Sequence, residues 1–193
     1  MCQFVETICI ENGKPRNLSY HVQRLNLTMR TFFPESKAIG EHELLTDIPN
    51  VQGLQKARVV YNENGITERS FAPYSIRKIN SIAIVEGNDI SYSWKSTDRS
   101  ALMRLREKAP GYDEVIIIKN GCVTDTSYTN LCFFDGKEWL TPDTPLLRGT
   151  MRQKLLDEGI IREARILKSD LNKFQSVSLI NAMMPLGELL LSL

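Results

Sequence analysis

Short apolar segments separated by turn-forming residues dominate the first half of the chain. Phe4–Ile10 is rich in β-branched residues and precedes the turn-forming stretch Glu11–Pro15, so it predicts an opening strand. The same pattern predicts a hairpin and two more short strands, at Arg58–Tyr61 with Ile66–Phe71, at Ile79–Val85 and at Ile90–Trp94. The first half is therefore expected to be mainly β-structure.

Near the start of the chain, apolar residues recur at spacings of three and four, which is the pattern of a helix with one buried face. The repeating residues are Val22, Leu25, Met29 and Phe32. Ser19 is a suitable N-cap, and Pro34 ends the pattern. The sequence thus predicts one helix in the first half, with His21 and Arg24 in its first turns.

Two further helices are predicted in the second half. One is expected to begin at a cap formed by Ser96 or Thr97 and to continue to about Lys108. The other begins with Thr150 and Gln153, which are spaced as a capping box, and Gly159 is placed to end it.

The second half also contains the clearest turns. Asn120-Gly121 and Asp135-Gly136 predict two hairpins, which join Glu114–Lys119 to Cys122–Thr124 and Leu131–Phe134 to Glu138–Thr141. A last strand is expected at Val177–Ile180. With a boundary near Gly87–Asp89, we predict a small N-terminal α/β subdomain at residues 1–88 and a larger C-terminal subdomain at 89–193.

Composition excludes several classes of protein. The 193 residues carry 24 Lys and Arg against 23 Asp and Glu, evenly scattered, so neither nucleic acid nor an anionic membrane is an expected partner. Apolar runs are much shorter than a membrane span, and the amino terminus lacks the charged and apolar regions of an export signal. Four cysteines without Cys-x-x-Cys spacing and two histidines favour neither a metal site nor disulfides, so we expect a reduced, cytoplasmic protein.

Lys95 is the first residue with candidate chemistry. It follows the predicted strand Ile90–Trp94 and precedes a predicted helix start, where burial and the positive end of the helix dipole would lower the pKa of its amine. An amine with a lowered pKa can attack a carbonyl group. The alternative is a solvated surface lysine, which is the usual setting of this residue type.

Two polar segments are further candidates. Residues 121–130 place Asp125 among hydroxyl and amide side chains, which suits either a binding corner or a loop in which Asp125, Ser127 and Asn130 satisfy backbone groups. Gly149-Thr150-Met151 opens a helix, so its amides can form an anion site or can be capped by Thr150 and Gln153.

Taken in chain order, seven motifs spread over nearly the whole sequence resemble those of the class IV aminotransferases. This family of pyridoxal-phosphate enzymes includes branched-chain and D-amino-acid aminotransferases and aminodeoxychorismate lyases. The motifs are Glu6-Thr7, His21–Leu25, Lys95 with Asp98-Arg99, Val123–Asp125 with Asn130-Leu131, Thr141-Pro142, Gly149–Gln153 and Asn181–Pro185. Gly149–Gln153 and Asn181–Pro185 are most similar to the lyase motifs. The resemblance implies a two-subdomain, D-amino-acid aminotransferase-like α/β (α+β) fold, shortened at the amino terminus.

The resemblance also implies roles for individual residues. Lys95 would hold pyridoxal 5'-phosphate as a Schiff base and then move the Cα proton of the substrate. Arg24 would bind the phosphate, as would the loop Gly149, Thr150 and Met151. Asp125 stands where the family usually has glutamate, facing the pyridine nitrogen.

Three other residues receive less specific expectations. Asn181 lies in the last pocket loop of the family and is expected to approach the cofactor. Arg58 is a candidate for binding a substrate carboxylate, although an arginine on a surface strand is an equally good interpretation. His21 is expected to order the helix that carries Arg24.

The implied function is a pyridoxal-phosphate lyase that releases pyruvate and leaves 4-aminobenzoate for folate synthesis. The alternatives are an aminotransferase of the branched-chain or D-amino-acid type, and a non-catalytic protein that keeps the fold. The third alternative is kept because Asp125 replaces glutamate and because an opening segment common in the family is expected to be missing before Glu6. The resemblance implies an amino-acid-like small-molecule substrate and a homodimer.

Overall fold

The computed structural model describes residues 2–192, which fold into two compact units. The first unit comprises the residues up to Ile76 together with Trp94–Asp98. The second unit comprises Arg77–Ser93 and the residues from Arg99 onward.

The first unit is an antiparallel sheet with helices. Its four strands pair in the order β2-β1-β3-β4. The strands are β1 (Phe4–Glu11), β2 (Lys14–Pro15), β3 (Leu54–Asn62) and β4 (Gly65–Pro73), and the helices are α1 (Leu18–Phe32) and α2 (Glu41–Leu44). Alternate residues of β1 and β3 pack in one core with the apolar face of α1, including Phe4, Ile8, Val59, Leu25 and Met29. This packing confirms the opening strand, the first helix and the hairpin.

The second unit contains two sheets. The five-stranded sheet has the order β10-β9-β8-β11-β12, and the three-stranded sheet has the order β5-β6-β7. Their strands are β5 (Ile82–Glu86), β6 (Glu114–Lys119), β7 (Cys122–Val123), β8 (Asn130–Phe134), β9 (Trp139–Pro142), β10 (Ile161–Ala164), β11 (Ser176–Ile180) and β12 (Leu190–Ser192). The helices are α3 (Ser100–Glu107), α4 (Thr150–Asp157) and a 3-10 helix at Lys168–Lys173. Separate apolar clusters form around α3 and α4.

The turn predictions agree with the backbone. Asn120 and Gly121, between β6 and β7, have φ angles of 52° and 78°, the left-handed conformation that a tight hairpin with matching strand twist requires. Gly159, just beyond the end of α4, has φ of 66°, as expected for a residue that ends a helix.

Three local predictions were wrong. Ile90–Trp94 is not a strand, and α3 begins at Ser100 with Arg99 as its N-cap, three or two residues later than the predicted caps Ser96 and Thr97. Lys95 therefore does not precede a helix start, and the argument from the helix dipole does not apply to it. The intervening segment instead pairs with β1: the amide of Val5 donates to the Lys95 carbonyl at 2.9 Å.

Two predicted helix caps also differ from the structure. Asn17 precedes α1 in a left-handed conformation with φ of 54°, so Ser19 lies inside the helix. Thr150 is the first residue of α4 after the N-cap Gly149, and the side chain of Gln153 donates to Asp157 instead of closing a capping box. In both helices, the cap lies one or two residues before the hydroxyl side chain.

The two units do not divide at the predicted boundary near residue 88, because segments near it pair with strands that are distant in sequence. Strand β5 pairs in parallel with β6, which places residues from Arg77 onward in the second unit. Trp94–Asp98 returns to the first unit because Ser96 bridges to Phe4 and the amide of Thr97 donates to Gln3.

No helix within residues 2–192 combines the length and apolar character needed to cross a bilayer.

Candidate active site

The first unit brings Glu6, His21 and Arg24 together. Glu6 lies on the face of β1 that also carries Phe4 and Ile8 toward the core, and both Glu6 and His21 are fully buried. His21 and Arg24 are three residues apart, so they share one face of α1. A strand with period two and a helix with period 3.6 thus place an acid opposite a histidine and an arginine.

Glu6 makes a closely spaced set of hydrogen bonds. Its Oε1 accepts from Arg24 Nε at 2.9 Å, and its Oε2 accepts from Arg24 Nη2 at 2.5 Å. Nδ1 of His21 lies 2.6 Å from the same Oε2. Glu6 therefore holds one edge of the guanidinium in a two-point contact, which fixes the plane and direction of Arg24.

Charge favours the ionised form of Glu6. Burial raises the pKa of Glu6, but the Arg24 charge and the hydrogen bonds from His21 and Arg24 outweigh this effect and lower the pKa to about 2. Burial is also the main reason why the pKa of His21 is lowered, with Glu6 opposing and the charges of Arg24 and Lys95 contributing. A neutral His21 would donate its Nδ1 hydrogen to Glu6, an assignment that follows from the hydrogen-bond network.

Lys95 belongs to the same unit. It is half-buried, and its backbone is fixed beside β1 by the hydrogen bond from Val5, the neighbour of Glu6. Its charge contributes to the lowered pKa of His21. The lysine that the sequence singles out therefore belongs to the same unit as the predicted phosphate-binding arginine.

Arg58 has a different setting. On β3, its Nη1 donates to Glu68 of β4 at 2.8 Å, and about half of the Glu68 side chain is exposed. This contact is an ion pair at the surface of the sheet, in agreement with the alternative interpretation of Arg58. Its role toward a substrate carboxylate stays a prediction.

In the second unit, Asp125 is a buried carboxylate held by neutral donors. Its Oδ1 accepts from Asn130 Nδ2 at 2.8 Å, and its Oδ2 accepts from the amide of Leu147 at 2.9 Å. Burial raises the pKa of Asp125 to about 6, although these two hydrogen bonds and the charge of Arg152 oppose the change. A carboxylate with this pKa can exchange a proton near neutral pH.

The start of α4 lies next to the same group. Gly149 is the N-cap and has no side chain, and a Cβ atom at this position would lie 1.9 Å from Oδ1 of Asn130. Thr150 and Met151, the first two helical residues, are buried. The first amides of an eight-residue helix thus begin beside Asp125 and Asn130.

Asn181 orders its own loop. Its Oδ1 accepts from the amides of Met183 and Met184 at 2.8 and 3.1 Å, and its backbone exchanges two hydrogen bonds with Met184. The side-chain oxygen is therefore engaged in shaping the turn. The predicted contact of Asn181 with a cofactor stays a prediction.

The sequence alone did not identify two partners of these residues. Glu6 was noted only within a motif, although an acidic residue at an inward position of an apolar strand is a signal for a buried ion pair. Asn130 was interpreted as a loop residue that satisfies backbone groups, and its contact with Asp125 requires the folded chain.

Arg152, only 1% exposed, donates to the Pro142 carbonyl and to Glu163 and so fastens α4 to β9 and β10.

The pH dependence of stability provides a test of the buried Asp125. Because its pKa rises from 3.8 to about 6 on folding, the folded protein retains a proton that the unfolded chain has already released. The free energy of unfolding is expected to decrease by about 3 kcal/mol from this group as pH rises through that interval, at about 1.36 kcal/mol per pKa unit. Urea unfolding of the ligand-free wild type and of Asp125→Asn over this pH range measures the decrease. The difference between the two pH profiles gives the contribution of Asp125 alone. Parallel profiles would contradict the prediction.

Comparisons with known proteins agree on one family. The amino-transferase class IV profile matches residues 3–188. An uncharacterized protein of Haemophilus influenzae is 40% identical over 187 residues, which are 95% of this chain and 98% of the relative.

Solved structures support the same assignment. A Haemophilus somnus protein, described as a candidate 4-amino-4-deoxychorismate lyase, is 35% identical with a TM-score of 0.86, covering 96% of this chain and 98% of that one. A hypothetical aminotransferase of Mycobacterium tuberculosis in its PLP-bound form has a TM-score of 0.78 at 17% identity, covering 97% of this chain and 80% of that one, and shows the fold alone. These comparisons confirm the fold class and the resemblance read from the sequence. The chain therefore belongs to the class IV aminotransferase family of pyridoxal-phosphate-dependent enzymes.

Proposed function

We propose that this enzyme is a lyase that acts on 4-amino-4-deoxychorismate, releasing pyruvate and 4-aminobenzoate. The observation that carries the proposal is the similarity, over nearly the whole of both chains, to the Haemophilus somnus protein described as a candidate for that activity. The motifs Gly149–Gln153 and Asn181–Pro185 support it, because they are most similar to the lyase motifs. We also propose that the enzyme acts in folate synthesis and in the cytoplasm.

The residues present fit the chemistry of pyridoxal 5'-phosphate. In the first unit, the oriented guanidinium of Arg24 suits a phosphate dianion. In the second unit, the amides of Thr150 and Met151 at the start of α4 also suit an anion. A pyridine nitrogen suits a buried carboxylate such as Asp125, which accepts hydrogen bonds from the neutral donors Asn130 Nδ2 and the Leu147 amide. Each unit therefore carries groups that match a part of the cofactor.

When bound, pyridoxal phosphate supplies an electron-withdrawing ring that stabilises negative charge on the Cα atom of an amino-acid substrate. We assign Lys95 the covalent attachment of the cofactor; once the amine of the substrate has displaced Nζ, the freed Nζ would take the proton from the substrate Cα. Asp125 would face the ring nitrogen, where its carboxylate would favour the protonated form of that nitrogen. Arg24 would hold the phosphate; Glu6 orients Arg24, and His21 in turn contacts Glu6.

Arg58 and Asn181 receive the remaining proposed roles. Arg58 would exchange its ion pair with Glu68 for a substrate carboxylate, a low-cost exchange because exposed ion pairs contribute only about 0–1 kcal/mol. Asn181 would present its loop to the cofactor.

We also propose a homodimer, which light scattering of the purified protein tests.

Product analysis tests the lyase proposal. Pyruvate and 4-aminobenzoate formed from 4-amino-4-deoxychorismate, without an added keto acid, would support it. Accumulation of pyridoxamine phosphate with an amino acid and no pyruvate release would instead support an aminotransferase. The two outcomes differ in whether the substrate loses a leaving group, so chromatography of the two incubations separates them.

Gly149→Ala is expected to weaken binding of pyridoxal phosphate by at least about tenfold, which corresponds to 1.4 kcal/mol. A Cβ atom would lie 1.9 Å from Oδ1 of Asn130, so either the side chain of Asn130 or the start of α4 must move. Gly40→Ala is the control, because Gly40 also precedes a helix but a Cβ there meets only Glu43 at 3.6 Å. Fluorescence titration measures the affinity of each variant for pyridoxal phosphate. Equal affinities in the two variants would refute the assignment of the start of α4 to phosphate binding.

A further inference from the structure

Asn130 makes contacts that reach beyond its own strand. It begins β8 and is only 6% exposed. Its Nδ2 donates to Oδ1 of Asp125 and to the carbonyl of Leu147, each at 2.8 Å. The orientation of the amide follows from these two acceptors, because the reversed amide would place its oxygen against a carboxylate and a carbonyl.

The three residues form a closed set of hydrogen bonds. The Leu147 amide donates to Oδ2 of Asp125 at 2.9 Å, while the Leu147 carbonyl accepts from Asn130. Two residues after Leu147, Gly149 passes so close to Oδ1 of Asn130 that only a residue without Cβ fits. One side chain therefore contacts both the carboxylate and the loop that leads into α4.

We propose that Asn130 is a positioning residue that fixes the Asp125 carboxylate relative to the start of α4. The inference rests on the proposed binding of pyridoxal phosphate, because these two features match the ring nitrogen and the phosphate of that molecule. A rigid cofactor satisfies both only if the distance between them is constant. Asn130 sets this distance through hydrogen bonds to Asp125 and to Leu147.

Asn130→Ala tests the proposal in the ligand-free protein first. Loss of a donor to the charged form moves the titration midpoint of Asp125 upward, and carbon-13 NMR of the aspartate carboxyl carbons follows it, with Asp125→Asn to assign the signal. Thr129→Ala is the matched control: Thr129 is adjacent and buried, and its hydroxyl bonds Thr126 instead of Asp125. We expect the midpoint to move in Asn130→Ala and to stay unchanged in the control.

Affinity provides the second readout. We expect Asn130→Ala to reduce the preference for pyridoxal 5'-phosphate over pyridoxal by at least about tenfold. Without Asn130, Asp125 and the start of α4 no longer keep the fixed distance that lets one molecule contact both with its ring and its phosphate. A residue that only supports folding would lower both affinities equally. Asn130→Leu keeps a side chain of similar size but has neither donor nor charge, so it serves if the alanine variant does not fold.

The outcomes separate this inference from the proposed function. Wild-type protein that binds no pyridoxal phosphate would overturn both. Wild-type protein that binds it, with an unchanged preference and an unchanged Asp125 midpoint in a folded Asn130 variant, would overturn the role of Asn130 alone. A reduced preference together with a raised midpoint would establish that role.

Discussion

Replacing Lys95 with alanine is expected to lower the rate of product formation by at least about 1,000-fold, because one amine both attaches the cofactor and moves the Cα proton. The backbone of Lys95 is held by its carbonyl, which accepts from Val5, so removal of the side chain leaves this hydrogen bond in place. The variant should therefore fold like the wild type. Steady-state kinetics with circular dichroism as a fold check make the comparison.

The covalent attachment gives an independent test. Wild-type protein incubated with pyridoxal phosphate and then reduced with borohydride should carry a stable adduct on the peptide containing Lys95, and Lys95→Ala should carry none. Lys78→Ala is the control, because Lys78 is an exposed lysine of the second unit. An adduct on another lysine in the wild type would contradict the assignment of Lys95.

Replacing Glu6 with glutamine is expected to lower the free energy of unfolding by about 3–5 kcal/mol at neutral pH, because the pair with Arg24 is buried and the cation would lose its counter-ion. The binding of pyridoxal phosphate should weaken as well, since Arg24 loses its counter-ion and one of the two acceptors that orient it. Glu11→Gln on the same strand is the matched control. Glu11 pairs with Arg16 near the surface, so its loss should cost less than about 1 kcal/mol.

The dependence of the free energy of unfolding on pH tests the contribution of ionised Glu6. The pKa of Glu6 is lowered from 4.5 to about 2 by folding, so its contribution is complete above pH 4.5 and is lost as pH falls toward 2. At about 1.36 kcal/mol per pKa unit, the contribution is about 3 kcal/mol. Urea unfolding between these pH values should show the loss in wild type and Glu11→Gln but not in Glu6→Gln. The same slope in all three proteins would disprove the buried ion pair.

Local sequence determined the elements whose structure depends on neighbouring residues. Asn120-Gly121 forms its hairpin because both residues adopt positive φ with little strain, and the apolar spacing of Val22, Leu25 and Met29 produces α1. The ordered motifs identified the family because they occur in the family's order over nearly the whole chain, although Asp125 stands where the family usually has glutamate. These predictions needed no knowledge of distant contacts.

Tertiary structure decided the features in which distant residues compete with local preference. Trp94–Asp98 is drawn beside β1 by backbone hydrogen bonds, so Ile90–Trp94 forms no strand and α3 begins only at Ser100. Pairing across sequence also explains why Glu6 meets Arg24, 18 residues away, and why Asn130 contacts Leu147, 17 residues away. Sequence spacing specifies periodicity within a helix or a strand, whereas the contacts of a buried polar group depend on which elements the core brings together.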